Sequence, residues 1–256
     1  MAAHAPTHDH LFILRNLVAK DFKVRYRNMS LGILWSFVNP LVMMGVLSFV
    51  FTVIFPLKWP YPPLFLLMGL LPFNFFSLGW SAGTNSVVDN ASLVKHVPLW
   101  RELLPISVVL GNAIHFLIQM ALLLLAVAIW VGVNPYWLWL PVIVALEVVF
   151  VCGLSLLCSG LDVYYRDMRY VVESANLVLF WMVPIFYKLT EVPQEYVWIY
   201  QLNPIATVIF LMRRILLYGL APDFSTMVKL VGVSLAVFGL GAFVFRRVKK
   251  DFTDYL

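Results

Sequence analysis

Six apolar runs, at 31–56, 62–83, 105–133, 137–160, 171–187 and 227–245, constrain this chain more than any other feature of its sequence. A helix needs about 20 apolar residues to cross the roughly 30 Å hydrocarbon core of a bilayer, and each run is of that order. Composition agrees, since 62% of the 256 residues are apolar and only 12% charged, where soluble domains run near roughly 45–50% and 25%. Folding alone cannot hide that excess from water in a chain of this size, so part of the solvent is lipid. An ordinary soluble enzyme, a disulfide scaffold and a disordered tail are thereby excluded. The expected fold is an all-α membrane protein: six transmembrane helices, an N-terminal amphipathic interface helix within residues 1–30, and short re-entrant helices before the last span. Cys152 and Cys158 share one run and read as packing residues.

The stretch 188–226 is too long for a turn, and it mixes charges and prolines with apolar patches. It reads as short helices dipping into the membrane surface. The first 30 residues contain no uninterrupted apolar core, so no cleaved signal peptide is expected. An even number of spans puts both termini on one side. That side collects Arg15, Lys20, Lys23, Arg25, Arg27, Lys95, Arg101, Arg166, Arg169, Arg246, Arg247, Lys249 and Lys250, while Lys58, Lys188, Arg213, Arg214 and Lys229 fall on the other. The excess places both ends in the cytoplasm. The net charge of +5 therefore reflects topology and attraction to anionic headgroups rather than nucleic acid.

Three local patterns carry candidate chemistry. In 11–27, Asn16, Lys20, Lys23 and Arg27 form a polar stripe opposite Leu11, Leu14, Val18 and Phe22, the pattern of a helix lying in the membrane interface. Such a helix is either a plain anchor or part of a gate. The cytoplasmic loop 84–104 is long and polar, with Trp100 beside Arg101 and Glu102 after a proline. That suits a partner's docking surface, although a Trp in the interfacial aromatic belt looks the same in sequence. His115 and Glu147 each lie ten residues into a span, about 15 Å deep at 1.5 Å per residue. A contact between them is expected, with Gln119 and Asn112 nearby, as a polar clamp between helices or as a proton relay or substrate contact.

Catalytic motifs are missing. The chain holds no G-x-x-x-x-G-K-[ST], H-E-x-x-H, C-x-x-C or G-x-S-x-G, so no P-loop, metal set or nucleophile points to catalysis here. No cofactor is expected in this chain. The sequons at Asn28 and Asn90 fall on the cytoplasmic side and read as chance matches.

A family resemblance rests on RYRNMSLGILWSFVNP at 25–40, GLLPFNFF at 69–76, KHVP at 95–98 with LP at 104–105, YRD at 165–167, PIFY at 184–187 and LNP at 202–204. In order and spacing, these resemble the type-2 ABC-exporter permeases for surface polysaccharides, the O-antigen branch with capsule and teichoic-acid relatives. The basic tail 246–256 resembles the O-antigen branch as well. The resemblance implies two copies forming a channel in the bacterial inner membrane. It also implies two separately encoded ATP-binding cassette subunits that bind ATP and Mg, and a lipid-linked glycan as substrate. Residues 11–27 match the family's interface helix. Leu93, Val94, Lys95, His96, Val97, Pro98, Leu99, Trp100 and Arg101 match its coupling helix, and 192–218 its extracytoplasmic gate helices. By the same analogy the first, second and fifth spans line the channel, with Trp35, Phe73, Phe75, Phe76, Trp80, Phe180 and Trp181 as candidate ring surfaces. Arg15, Lys20, Lys23, Arg25, Tyr26 and Arg27 would stand at the cytoplasmic entrance, where cations can meet a lipid-linked phosphate.

Nine Trp, eleven Tyr and twenty Phe exceed what two interfacial belts require. Ring faces suit the apolar faces of sugars, and they equally suit helix packing. A drug or small-lipid exporter of the same superfamily is expected to carry a larger extracytoplasmic domain or a fused ATPase. A secondary transporter needs ion-coupling carboxylates and usually internal repeats, and only His115 and Glu147 offer such chemistry.

Overall fold

The computed structural model describes residues 10–26, 34–56, 59–97 and 99–256, and every regular element among them is helical. Five helical stretches are long and apolar enough to cross a membrane: Trp35–Ile54, Pro62–Asp89, Leu103–Trp130, Pro135–Asp162 and Phe224–Val248. The elements are α1 (His10–Tyr26), α2 (Trp35–Phe49), α3 (Pro62–Asp89), α4 (Ala91–His96), α5 (Leu103–Trp130), α6 (Leu140–Asp162), α7 (Met168–Met182), α8 (Val197–Leu202), α9 (Pro204–Leu216), α10 (Phe224–Val248) and α11 (Phe252–Tyr255). A π-helical turn, Val50–Ile54, extends α2, and a short 3-10 turn, Pro135–Trp139, leads into α6.

The centre of the molecule is α3, which packs on α5 and α6, with α7 and α9 also against it. Pro62 and Pro63 open α3, where missing N–H groups cost nothing. In lipid, apolar area gives little drive for helices to associate, so close approach at small residues matters more. Gly153 of α6 and Gly241 of α10 provide it. A Cβ on Gly153 would lie 2.6 Å from the Phe238 backbone, and one on Gly241 would overlap the Gly153 carbonyl.

Two expectations change. The loop expected at 84–104 is helical through Asp89, because its polar side chains find partners on the helix itself. The Thr84 hydroxyl donates to Trp80 O at 2.8 Å, Ser86 Oγ to Gly83 O at 2.6 Å, and Asn90 Nδ2 to Ser86 O at 2.8 Å. The fifth run, expected at 171–187, is helical only over Met168–Met182, fifteen residues, after which Val183 is extended at ψ 138°. Pro184 cannot continue the ladder, and the freed carbonyls are taken by a cation described below.

Candidate functional site

Lysine and arginine gather at one end of the bundle, where α1, α4 and the tail meet. Asn90, between α3 and α4, accepts from Lys20 Nζ at 3.2 Å and so ties α1 to that corner. Along α4, Val94 is buried and Leu93 half-buried, while Lys95, His96 and Val97 are exposed. Pro98 lies outside the described residues, Leu99 is half-buried, and Trp100 is 58% exposed. Arg101 turns inward instead. Its guanidinium donates to the Lys249 carbonyl and sits 5.8 Å from the Phe252 ring centre. Glu102 accepts from Lys249 Nζ at 2.5 Å, with Arg246 at 3.8 Å. Tyr164 donates to Val248 O at 2.6 Å. The segment around Arg101 is thus clamped to the C-terminal end of α10, and Lys95, His96, Val97 and Trp100 form the outward surface.

Within α1, Arg15, Asn16, Lys20 and Lys23 are exposed; of the apolar stripe, Leu14, Val18 and Phe22 are half-buried toward the bundle, as is Leu17, but Leu11 is exposed. Arg25 and Tyr26 belong to the last turn of α1, but their side chains, like the whole of Arg27, lie outside the described residues.

The expected His115–Glu147 pair is not formed. His115 Nδ1 meets the Ser36 hydroxyl of α2 at 2.9 Å, and its Nε2 lies 3.1 Å from Gln119 Nε2. Glu147 is fully buried on α6, with neither carboxyl oxygen hydrogen-bonded among the described residues. The cause is helical phase. Depth from an apolar run is right for both residues, but His115 faces α2 from its place on α5.

The candidate channel rings divide. Phe73, Phe75, Phe76 and Trp80 are buried in the chain's own core, at 9% exposure or less. Phe75 stacks on Phe116 at 5.0 Å, Phe76 on Phe150 at 6.1 Å, and the Trp80 indole donates to Cys158 Sγ at 3.3 Å. These four are packing residues in this structure, which corrects their reading as ring surfaces. Trp35 and Trp181 are exposed, at 40% and 68%, and Phe180 is half-buried between Phe73 and Trp181. Glu173 and Ser174 are exposed on α7, five or six residues from its start.

At the opposite end, α8 and α9 form a hairpin. Asn203 caps α9, its Oδ1 accepting from Ile205 N at 3.0 Å and Ala206 N at 3.4 Å. The residue that the sequence reading missed is Arg213. It is 6% exposed, stacks 3.5 Å over the Phe65 ring, and donates to Phe65 O at 3.0 Å, Pro184 O at 2.6 Å and Ile185 O at 2.8 Å. One guanidinium therefore fastens α9 to the start of α3 and to the break after α7. A lone cation in the apolar face of an amphipathic helix was its signal in the sequence. Asp223 caps α10, accepting from the Thr226 hydroxyl at 2.7 Å and its N–H at 2.9 Å, and these bonds hold its carboxyl below the usual range. No cluster of three or more His, Cys, Asp or Glu suited to a metal occurs among the described residues.

Helices long and apolar enough to cross a membrane surround a buried central helix, with a clamped polar surface and a fastened hairpin, the make-up of an all-helical membrane domain. The chain belongs to the ABC-2 type transporter family, whose model matches residues 14–217. It is 31% identical to the O-antigen export system permease protein RfbA of Klebsiella pneumoniae over 97% of this chain and 95% of that protein. It is 28% identical to the protein of the same name from Myxococcus xanthus, over 94% of each. The polysialic acid transport protein KpsM of Escherichia coli matches at 25% identity over 90% of this chain and 91% of its own length.

Proposed function

We propose that this chain is the membrane-spanning half of a homodimeric exporter that moves a lipid-linked polysaccharide, O-antigen first among them, across the bacterial inner membrane. A separate ATPase subunit on each copy binds ATP and Mg. Both termini lie in the cytoplasm, α7 and the break after it make a sixth crossing, and α8–α9 form an extracytoplasmic gate. Similarity across nearly the whole length of O-antigen permeases supports the substrate class.

The observation that carries the coupling role is the clamp at Arg101 and Glu102. It holds Trp100, Lys95, His96 and Val97 outward while joining their loop to α10. An aromatic rimmed by cations is a docking anchor of the usual kind, and a push on it from a closing ATPase would reach α10 and, through Gly153 and Gly241, α6. Exposed Glu173 and Ser174 on α7 would be costly against lipid and suit a water-filled path shared by two copies. Arg25 and Arg27 would meet the lipid-linked phosphate at the entrance.

A capsule-type polymer is the second reading, favoured by the match to the polysialic acid transport protein. Ion-coupled transport loses support because His115 and Glu147 bond no common partner. The test is reconstitution of the chain with its ATPase in vesicles containing a labelled lipid-linked glycan. ATP-dependent transfer of label to the far side, abolished in a Trp100→Ala, Arg101→Glu double variant, is expected. Transfer that needs an ion gradient and no ATPase would overturn the proposal.

A further inference from the structure

A long groove runs along the flank of the bundle beside α1. It encloses about 1170 Å³, more than the roughly 300–1,000 Å³ of pockets for drug-sized ligands. Leu14 and Phe22 of α1, Leu110 and Leu124 of α5, Trp137 of the turn before α6 and Val144 of α6 mark its extent, and its lining is almost wholly apolar. From Leu110 to Leu124 is fourteen residues of α5, about 21 Å at 1.5 Å per residue. That length exceeds one leaflet, about half of a roughly 30 Å hydrocarbon core. The two charged residues in the lining are both cations, Arg15 and Lys23 of α1. They flank the end of the groove where α1 lies, and each is exposed. Asp21, the acidic residue of α1, is turned toward Gly111 of α5 and is not part of the lining.

We infer that this groove is a binding site for an anionic phospholipid, with an acyl chain between α5 and α6 and the headgroup phosphate on Arg15 and Lys23. Apolar walls select a chain, their length admits all of it, and paired cations at one mouth select a negative headgroup over a zwitterionic one. A soluble ligand finds little to bind in a groove whose polar lining amounts to two cations and the Trp137 indole N–H. Such a lipid would wedge α1 against α5 and α6 and fix the interface helix in the plane of the membrane. The inference does not depend on which polymer is exported.

The test uses the full chain with its partner ATPase in nanodiscs and a phosphatidylglycerol probe carrying a photoactivatable acyl chain, with labelled peptides mapped after irradiation. Labelling is expected on α1, α5 and α6, competed by phosphatidylglycerol and not by phosphatidylcholine. Arg15→Ala with Lys23→Ala is expected to weaken phosphatidylglycerol binding about thirtyfold, each cation near a bilayer surface contributing roughly fivefold. Ala145→Trp, which fills the groove from the exposed side of α6 and leaves both cations in place, is expected to abolish labelling. Arg247→Ala, outside the groove, is expected to leave it unchanged. Labelling confined to other helices, competition by phosphatidylcholine equal to that by phosphatidylglycerol, stronger competition by a polyprenyl phosphate, or labelling indifferent to both variants would each overturn the inference.

Discussion

The helices α2 and α3 are adjacent in sequence and each belongs to a stretch apolar enough to cross a membrane, yet 78% of the apolar window of α3 is buried and only 11% of that of α2 with its π turn. The stretch containing α2 is the more apolar of the two, so composition does not explain the difference. Position does. α3 is enclosed by α5, α6, α7 and α9, whereas α2 touches the bundle along one side and leaves Leu41, Val42, Val46 and Phe49 uncovered. On α7, which also packs against α3, the uncovered face carries Glu173 and Ser174 among apolar residues. One helix organises the chain from within, and the other two leave one face uncovered by the rest of the chain.

The largest expected effect lies on the buried side. Arg213→Ala strands three carbonyls, at Phe65, Pro184 and Ile185, and is expected to cost about 4 kcal/mol at 1.5–3 for each charged hydrogen bond, partly recovered by water. Arg213→Lys should recover only part, because an ammonium lacks the fork that reaches three acceptors. Thermal unfolding of the purified protein measures both, and an alanine variant as stable as the parent would show that the hairpin is held by something else.

Two glycines sharpen the contrast between covered and uncovered helices. Gly153→Val drives a side chain into the Phe238 backbone and is expected to cost about 3 kcal/mol. Gly45→Ala on α2 meets nothing within 4 Å and is expected to stabilise the single chain by about 0.5–1 kcal/mol through helix propensity. If Gly45→Ala instead destabilises the isolated chain, α2 is not uncovered.

Function on the exposed face is next. Trp181→Ala, 68% exposed, is expected to slow glycan export about fivefold, near 1 kcal/mol for one ring contact, with ATPase binding unchanged. Export at the parental rate would remove ring stacking from the account. Glu102→Gln breaks the pair with Lys249 and is expected to cost about 1 kcal/mol or less at low salt, shrinking as salt rises. The smallest effect belongs to Asp223. Hydrogen bonds from the Thr226 hydroxyl and N–H hold its carboxyl below the unfolded value, so its contribution is present above that value and fades as pH falls through the folded one. An Asp223→Asn variant should flatten the acid limb of the melting profile slightly.

Five of the six expected runs coincide with helices long and apolar enough to cross a membrane, because length and apolarity suffice for them: the run expected at 105–133 is helical over Leu103–Trp130. The end of α7 was not legible, because Val183, Ile185 and Phe186 continue the apolar pattern while the fate of their backbone depends on Arg213, far along the chain. The inward face of α1 followed from spacing at Leu14, Val18 and Phe22, though not at Leu11, which is exposed. Arg101 did not, since its partner at Lys249 lies 148 residues away. His115 and Glu147 failed as a pair for a similar reason, because depth can be counted from a sequence and rotation about the helix axis cannot. The burial of Phe73, Phe75, Phe76 and Trp80 was equally invisible, because it depends on α3 being the helix at the centre.

The proposal that two copies form the exporter, with the uncovered faces of α2 and α7 between them, is tested most directly by cysteine cross-linking. Cys152 and Cys158 are buried and form no disulfide, leaving the surface free for introduced thiols. Oxidation of a Val46→Cys, Leu177→Cys chain in membranes is expected to give covalent dimers, and a chain with Leu235→Cys on the uncovered side of α10 is expected to stay monomeric. Dimers through position 235 with none through 46 and 177 would contradict the account.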